Sequence, residues 1–288
     1  MISKQEFDEF RKFLEQASGI VLSEGKHYLV SSRLSKLLQE NGIGSIAELI
    51  TCIKQNRKPG LREQVVDAMT TNETMWFRDR YPYEMLQQSL LPEFAERIKT
   101  GPLRIWSAAC STGQEPYSIS IVVQEFLKAN PGSFPRGVQI VATDISPSVL
   151  EVAKAGRYDQ SAIDRGVSPE RRERFFRRVG DCWEVVPEIK SRVLFRQLNL
   201  QQSFVSLSKF DLIFCRNVLI YFSSEFKRDI LERQAAQLNP GGYLMLGSSE
   251  APTRYTDRYV MVRMPQGVIY QCKPEAEAMR VNQHFTAG

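Results

Sequence analysis

LRIWSAACSTGQEPY, residues 103–117, changes character twice within one short run. Leu103 to Ser107 carries the Leu, Ile and Trp content of a buried strand. The small residues Ala108, Ala109, Ser111 and Thr112 follow, then Gly113, which accepts a positive φ where a Cβ would clash. Pro116 suits the first turn of a helix, where its missing N–H costs nothing. Ile119, Ile121, Val122, Val123, Phe126 and Leu127 continue that helix. Strand, tight turn and helix make the first unit of a doubly wound α/β sheet, whose ligands bind beyond the strand ends.

The turn has neither the GxGxxG of a dinucleotide site nor the GxxxxGK[ST] of a P-loop. Glu115 stands where a phosphate would otherwise meet the helix N-terminus. A carboxylate there is favoured by the helix dipole and repels pyrophosphate. It attracts a cation, and S-adenosylmethionine, with a sulfonium, an ammonium and no phosphate, fits. An ordinary N-terminal Glu is the other reading, and the turn alone does not choose between them.

The 288 residues allow one large domain or two moderate ones, and 42% hydrophobic with 25% charged residues is the balance of a soluble globular protein. No apolar run approaches the roughly 18 residues of a membrane span, and the acidic, helix-like start is not that of a signal peptide. Cys52, Cys110, Cys182, Cys215 and Cys272 are scattered without a CxxC, which points to reduced thiols in a cytoplasm rather than disulfides or zinc. His27 and His284 are the only histidines, so a His-based triad or metal site has little material. The charge of +5 is too small to argue for a nucleic-acid partner, although a locally basic face could meet an acidic one.

In chain order, helical spacing covers 3–17, 26–41, 45–56 and 61–71, with Gly19 and Gly42 as stops and Ser45 with Glu48 as a capping pair. Arg33 and Lys36 share one face of the second helix. These four make a small all-α domain over 1–71, and the α/β domain takes 72–288. Pro82 opens a further helix running to about Lys99. Strands are expected at 103–107, 138–143, 193–198, 210–215, 243–247 and 268–272, with helices at 116–129, 147–155 and 224–238. That alternation predicts parallel pairing with crossover helices. The stretch 157–197, a charged helix followed by strand-like runs at 182–186 and 193–198, reads as an inserted small antiparallel β-subdomain.

Asp144 ends the second strand, where an acid accepts hydrogen bonds from ribose hydroxyls or else caps the helix after Pro147; position leaves both open. Arg216 and Asn217 follow the strand Phe210–Phe214, where ligand contacts cluster, or Arg216 pairs with a nearby acid.

Together these motifs resemble the chemotaxis receptor methyltransferases, the CheR family, over nearly the whole chain. The resemblance rests on TTNETMWFR at 70–78, WSAACSTGQEPYS at 106–118, Thr143-Asp144-Ile145, Asn199-Leu200 and FCRNVLIYF at 214–222. Cys110 and Gln114 depart from the commoner Ala and Glu without removing a group the chemistry needs. The resemblance implies a Rossmann-like S-adenosylmethionine-dependent methyltransferase fold, and methyl transfer to glutamates on the cytoplasmic helices of chemoreceptors. It places Asn72, Thr74, Arg78, Glu115, Asp144, Asn199, Leu200, Arg216 and Asn217 around the cofactor, with Arg78 and Tyr221 beside the methyl group and S-adenosylhomocysteine as product. Arg33 and Lys36 are expected to meet the acidic receptor, with neither nucleic acid nor membrane insertion involved.

A glutamate pKa of about 4.3 means the nucleophile is already ionised near neutral pH and needs no general base, which agrees with the scarcity of histidine. Two other readings stand beside this one: a related methyltransferase acting on a small molecule or nucleic acid, and a catalytically idle receptor-binding scaffold. The basic 151–200 segment is the first one's sole support; the second has no need of Arg78, Glu115, Asp144 and Tyr221. Some family members dock a receptor's C-terminal peptide on the subdomain through a longer glycine-containing loop. Gly180-Asp181 reads as a tight two-residue turn instead, so no such tether is expected to be needed.

Overall fold

The computed structural model describes residues 2–274, and His284 lies outside them. The helical part consists of α1 (Lys4–Ser18), α2 (His27–Glu40), α3 (Ile46–Lys54) and α4 (Leu61–Met69). Ser3 and Glu6 close a reciprocal capping box on α1, and Gly19 ends it in the left-handed region. Ser45 caps α3, but the Glu48 side chain accepts from the Gly44 N–H, so only half of the expected box forms there. Phe7, Phe10, Leu14, Val30, Leu34, Leu49 and Val65 are fully buried between these helices.

The expected single helix from Pro82 is α5 (Tyr81–Met85), a π turn over Leu86–Leu90, and α6 (Leu91–Arg97). The rest runs β1 (Leu103–Ala108), α7 (Gln114–Ala129), β2 (Val138–Asp144), α8 (Pro147–Ala155), β3 (Arg157–Tyr158), α9 (Gln160–Asp164), α10 (Pro169–Phe175), β4 (Phe176–Val179), β5 (Cys182–Val185), α11 (Pro187–Lys190) and β6 (Val193–Gln197). It continues through β7 (Phe210–Cys215), α12 (Ser224–Ala236), β8 (Leu238–Leu246), β9 (Tyr259–Met264) and β10 (Gly267–Cys272).

The main sheet has the order β6-β2-β1-β7-β8-β10-β9, parallel from β6 to β8 and antiparallel at the last two pairings. The chain steps outward from β1 to β2 and β6, then returns to place β7 on the other side of β1. That reversal opens a crevice beyond the ends of β1 and β7, where doubly wound folds bind ligands. Along β7 the side chains alternate, Leu212 and Phe214 entering one buried cluster and Ile213 and Cys215 the other, so both faces of the sheet are covered.

Two expectations change. The run 193–198 does not belong to the small antiparallel element, because β6 pairs parallel with β2, Ile140 opposite Val193. The small sheet, ordered β3-β5-β4, takes its third strand from Arg157–Tyr158 instead. Strand β9 was not anticipated; it is the outer edge of the main sheet, with Val260 and Met261 half-exposed, and so lacks the pattern of a buried strand. Among the described residues no helix is long and apolar enough to cross a membrane.

Candidate active site

One cavity sits over the carboxyl ends of β1, β2, β6 and β7, roofed by α2 and by the segment after α4. Its floor is the turn after β1. Gly113 has φ 95°, and a Cβ there would come within 3.2 Å of Ala153 and the Tyr158 hydroxyl. Ala109 (φ 58°) and Ser111 (φ 51°) are left-handed too, which their residue types did not announce.

Three of the turn's amides already have acceptors in the protein. Cys110 N–H donates to the Thr143 carbonyl, Ser111 N–H to Asp144 Oδ2 (2.8 Å) and Gly113 N–H to the Cys110 carbonyl. These three are not available to cradle a phosphate. Asp144 Oδ1 accepts from Ser146 N–H at 3.0 Å, while the cap of α8 is the Ser146 hydroxyl, so Asp144 is not that helix's cap. Burial raises the Asp144 pKa against the pull of these amides.

Glu115 is the second residue of α7. Its Oε1 accepts from the Ser107 hydroxyl at 2.8 Å, and its Oε2 faces Arg216 Nη1 at 3.3 Å. Burial raises its pKa, and Arg216 opposes that shift. The Arg216 side chain, only 1% exposed, also donates from Nη2 to Asp79 Oδ2 at 2.6 Å and to the Arg78 carbonyl at 3.1 Å. Burial works against the guanidinium charge, but Tyr83, Glu115 and Asp79 outweigh it and hold the pKa above its ordinary value. Arg216 thus pairs with nearby acids, as one of its two sequence readings has it, and it also lines the cavity. Asp79 was missed, because its partner lies 137 positions away.

Phe77, Asp79 and Arg80 all have positive φ, so Arg78 is carried on a tight turn that Arg216 clamps through its backbone. The Arg78 side chain makes one long hydrogen bond, 3.3 Å from Nη1 to the Glu73 carbonyl. Tyr221 lines the same cavity, and its carbonyl accepts from Val21 N–H at 2.9 Å, fastening the helical part to the end of β7. Asn217 (φ 59°) is held by Glu250, whose Oε2 accepts its N–H at 2.7 Å; Glu250 is a second group the sequence did not reveal.

Asn72, Thr74, Asn199 and Leu200 also line the cavity. The Asn199 amide donates to the Ala17 carbonyl at 2.8 Å, another bond across the two parts of the chain. Arg33 and Lys36 are not brought together. Arg33 lines the cavity, whereas the Lys36 side chain is 84% exposed and pairs with Glu40 at 3.6 Å.

Two carboxylates, at Glu115 and Asp144, beside the apolar Ile145, Leu198, Leu200 and Val218, suit a cationic nucleoside without phosphate. The Glu115 carboxylate in the first turn of α7 and the engaged amides of Cys110, Ser111 and Gly113 argue against a dinucleotide's pyrophosphate. Burial pushes the Cys110 thiol well up, so it is no thiolate nucleophile.

The model of the CheR methyltransferase SAM-binding domain matches residues 72–268, and that of the CheR methyltransferase all-alpha domain matches residues 5–70. The chain belongs to the CheR methyltransferase family. It is an S-adenosylmethionine-dependent methyltransferase. Chemotaxis protein methyltransferase 1 of Pseudomonas aeruginosa is 58% identical over 93% of this chain and 98% of its own. Chemotaxis protein methyltransferase Cher2 of Pseudomonas putida is 55% identical over the same shares. A chemotaxis protein methyltransferase of Vibrio parahaemolyticus is 50% identical over 94% and 98%.

Proposed function

We propose that this enzyme methylates glutamate side chains on the cytoplasmic helices of chemoreceptors, working in the cytoplasm during adaptation of chemotactic signalling. Arg78 carries the reading, as a guanidinium at the cavity with one long hydrogen bond and a planar fork suited to a carboxylate. The bound S-adenosylmethionine supplies a methyl group on a positively charged sulfur. Methyl transfer from that sulfur to an ionised glutamate carboxylate would require no proton to move, so the chain needs no general base. Arg78 and the Tyr221 hydroxyl orient that carboxylate, and in-line placement supplies on the order of 7–11 kcal/mol. Glu115 and Arg216 face the methionine end, Asp144 the ribose, and Asn72, Thr74, Asn199, Leu200 and Asn217 the remaining wall.

Incubation with methyl-labelled S-adenosylmethionine and receptor cytoplasmic fragments should place label on glutamate as an alkali-labile ester. Alkali-stable label, or label on added nucleic acid or small molecules instead, overturns the reading.

The subdomain supports tether-independent action. Val179 pairs with Cys182, so Gly180-Asp181 is a two-residue turn, with only Gly180 at positive φ (61°) as in type II′. Such a turn offers few free backbone groups to an added strand. Calorimetric titration with C-terminal receptor pentapeptides should show no heat, and receptors lacking that peptide should be methylated at undiminished rates. Micromolar binding of any of these peptides would refute this.

A further inference from the structure

The Arg33 side chain turns inward from helix α2 toward the end of α4. Its Nη1 donates to the carbonyls of Met69 (2.7 Å) and Thr70 (2.8 Å), and its Nη2 to the Thr71 hydroxyl (3.1 Å). The first two are carbonyls at the end of α4, where the helix leaves acceptors without intrahelical donors and the dipole favours a cation. Nη1 alone holds both carbonyls with its two N–H groups, and the second arm of the fork, Nη2, adds the Thr71 hydroxyl, a three-point grip that a lysine ammonium reproduces only in part.

The segment so held is cavity wall. Thr70 to Met75 all line the cavity and are irregular backbone, without a helix or strand to fix them. Thr70 N–H still bonds the Val66 carbonyl at the end of α4, and past it the fixed points are side-chain bonds. Asn72 Nδ2 donates to Thr70 Oγ1 (3.0 Å), and the Ser111 hydroxyl donates to the Asn72 carbonyl (2.8 Å). Ser111 in turn gives its N–H to Asp144. An unbroken line thus runs from α2 through Thr70, Asn72 and Ser111 to the carboxylate assigned to the ribose. Lys36, one turn along the helix, has no part in it.

We infer that Arg33 is a positioning residue for the cofactor wall, setting the 70–75 segment against the turn after β1, rather than a docking residue for the receptor. The inference rests on the cofactor assignment and is independent of which protein is methylated.

The test needs no receptor in its first arm. Calorimetric titration with S-adenosylhomocysteine should show a Kd raised at least about fivefold in Arg33→Ala and partly restored in Arg33→Lys. In steady state with receptor fragments, the KM for S-adenosylmethionine should rise while the KM for the fragment stays put. An unchanged Kd with a raised fragment KM would return Arg33 to docking and overturn the inference. A lowered melting temperature with unchanged Kd and kcat would reduce it to a helix cap and overturn it equally. Should Arg33→Ala fail to fold, the lysine variant decides by the same readings: a raised Kd supports the inference and an unchanged one refutes it. Wild type titrated in parallel separates the two levels, since loss of binding in both strikes the cofactor assignment itself.

Discussion

Arg78→Ala is expected to lower kcat by about 100-fold or more, the usual loss when a donor that orients a reacting group is removed. The stability of the fold should change by less than about 0.5 kcal/mol. The guanidinium has one long bond, to the Glu73 carbonyl, whereas the backbone of the same residue is what Arg216 grips. Truncating the side chain therefore leaves the Phe77–Arg80 turn and its ion pair with Asp79 in place. Arg78→Lys should recover only part of the rate, since an ammonium keeps the charge and loses the fork. Single-turnover methylation of receptor fragments at saturating cofactor is the deciding measurement. Near wild-type rates in both variants would take Arg78 out of the chemistry.

The features legible in the sequence are those carried by neighbours in the chain. The strand, turn and helix of 103–117 were readable because apolar run, small residues, Gly113 and Pro116 follow one another directly. The carboxylates at Glu115 and Asp144 were readable for the same reason, each at a helix start or strand end. The partners were not. Asp79 reaches Arg216 across 137 positions, Asn199 reaches Ala17 across 182, and the Ser146 hydroxyl meets Asp67 across 79. Nothing local marks these pairs, because each exists only after the sheet has closed and the helical part has seated on its end. The edges of the sheet were harder for a related reason: 193–198 was legible as a strand but not as a neighbour of β2, and β9 was not legible at all. Strand β9 has a neighbouring strand on one side only and leaves Val260 and Met261 half-exposed, so the apolar pattern that identifies a buried strand is diluted there. The Arg33 and Lys36 pair shows the limit most directly: three residues apart on one helix, they are divided between an inward clamp and an exposed ion pair.

Asp144→Ala should weaken S-adenosylhomocysteine binding by about 1.5–3 kcal/mol, roughly 10- to 150-fold, through loss of charged acceptors for the ribose. From the sequence, stability would be expected to stay nearly constant. The structure corrects that expectation, because the carboxylate is 6% exposed and accepts the N–H groups of both Ser111 and Ser146. Alanine leaves those donors without their acceptor, at about 1–3 kcal/mol for a buried group, so the melting temperature should fall as well. Asp144→Asn separates the two effects. It retains one acceptor oxygen and should lose less stability, yet it loses the charge. Burial raises the carboxyl pKa above its ordinary value of 3.8, so the folded state holds that proton to higher pH than the unfolded chain does. Asp144 therefore favours folding most at pH below 3.8, and that contribution is lost as pH rises through the folded-state pKa. Cofactor affinity has the opposite sign, since the ribose hydroxyls need the ionised acceptor and binding weakens as pH falls through the same window. An Asn variant should lack that limb of the affinity profile. Unchanged affinity in Asp144→Ala, with only the melting temperature lowered, would confine Asp144 to bracing the turn after β1.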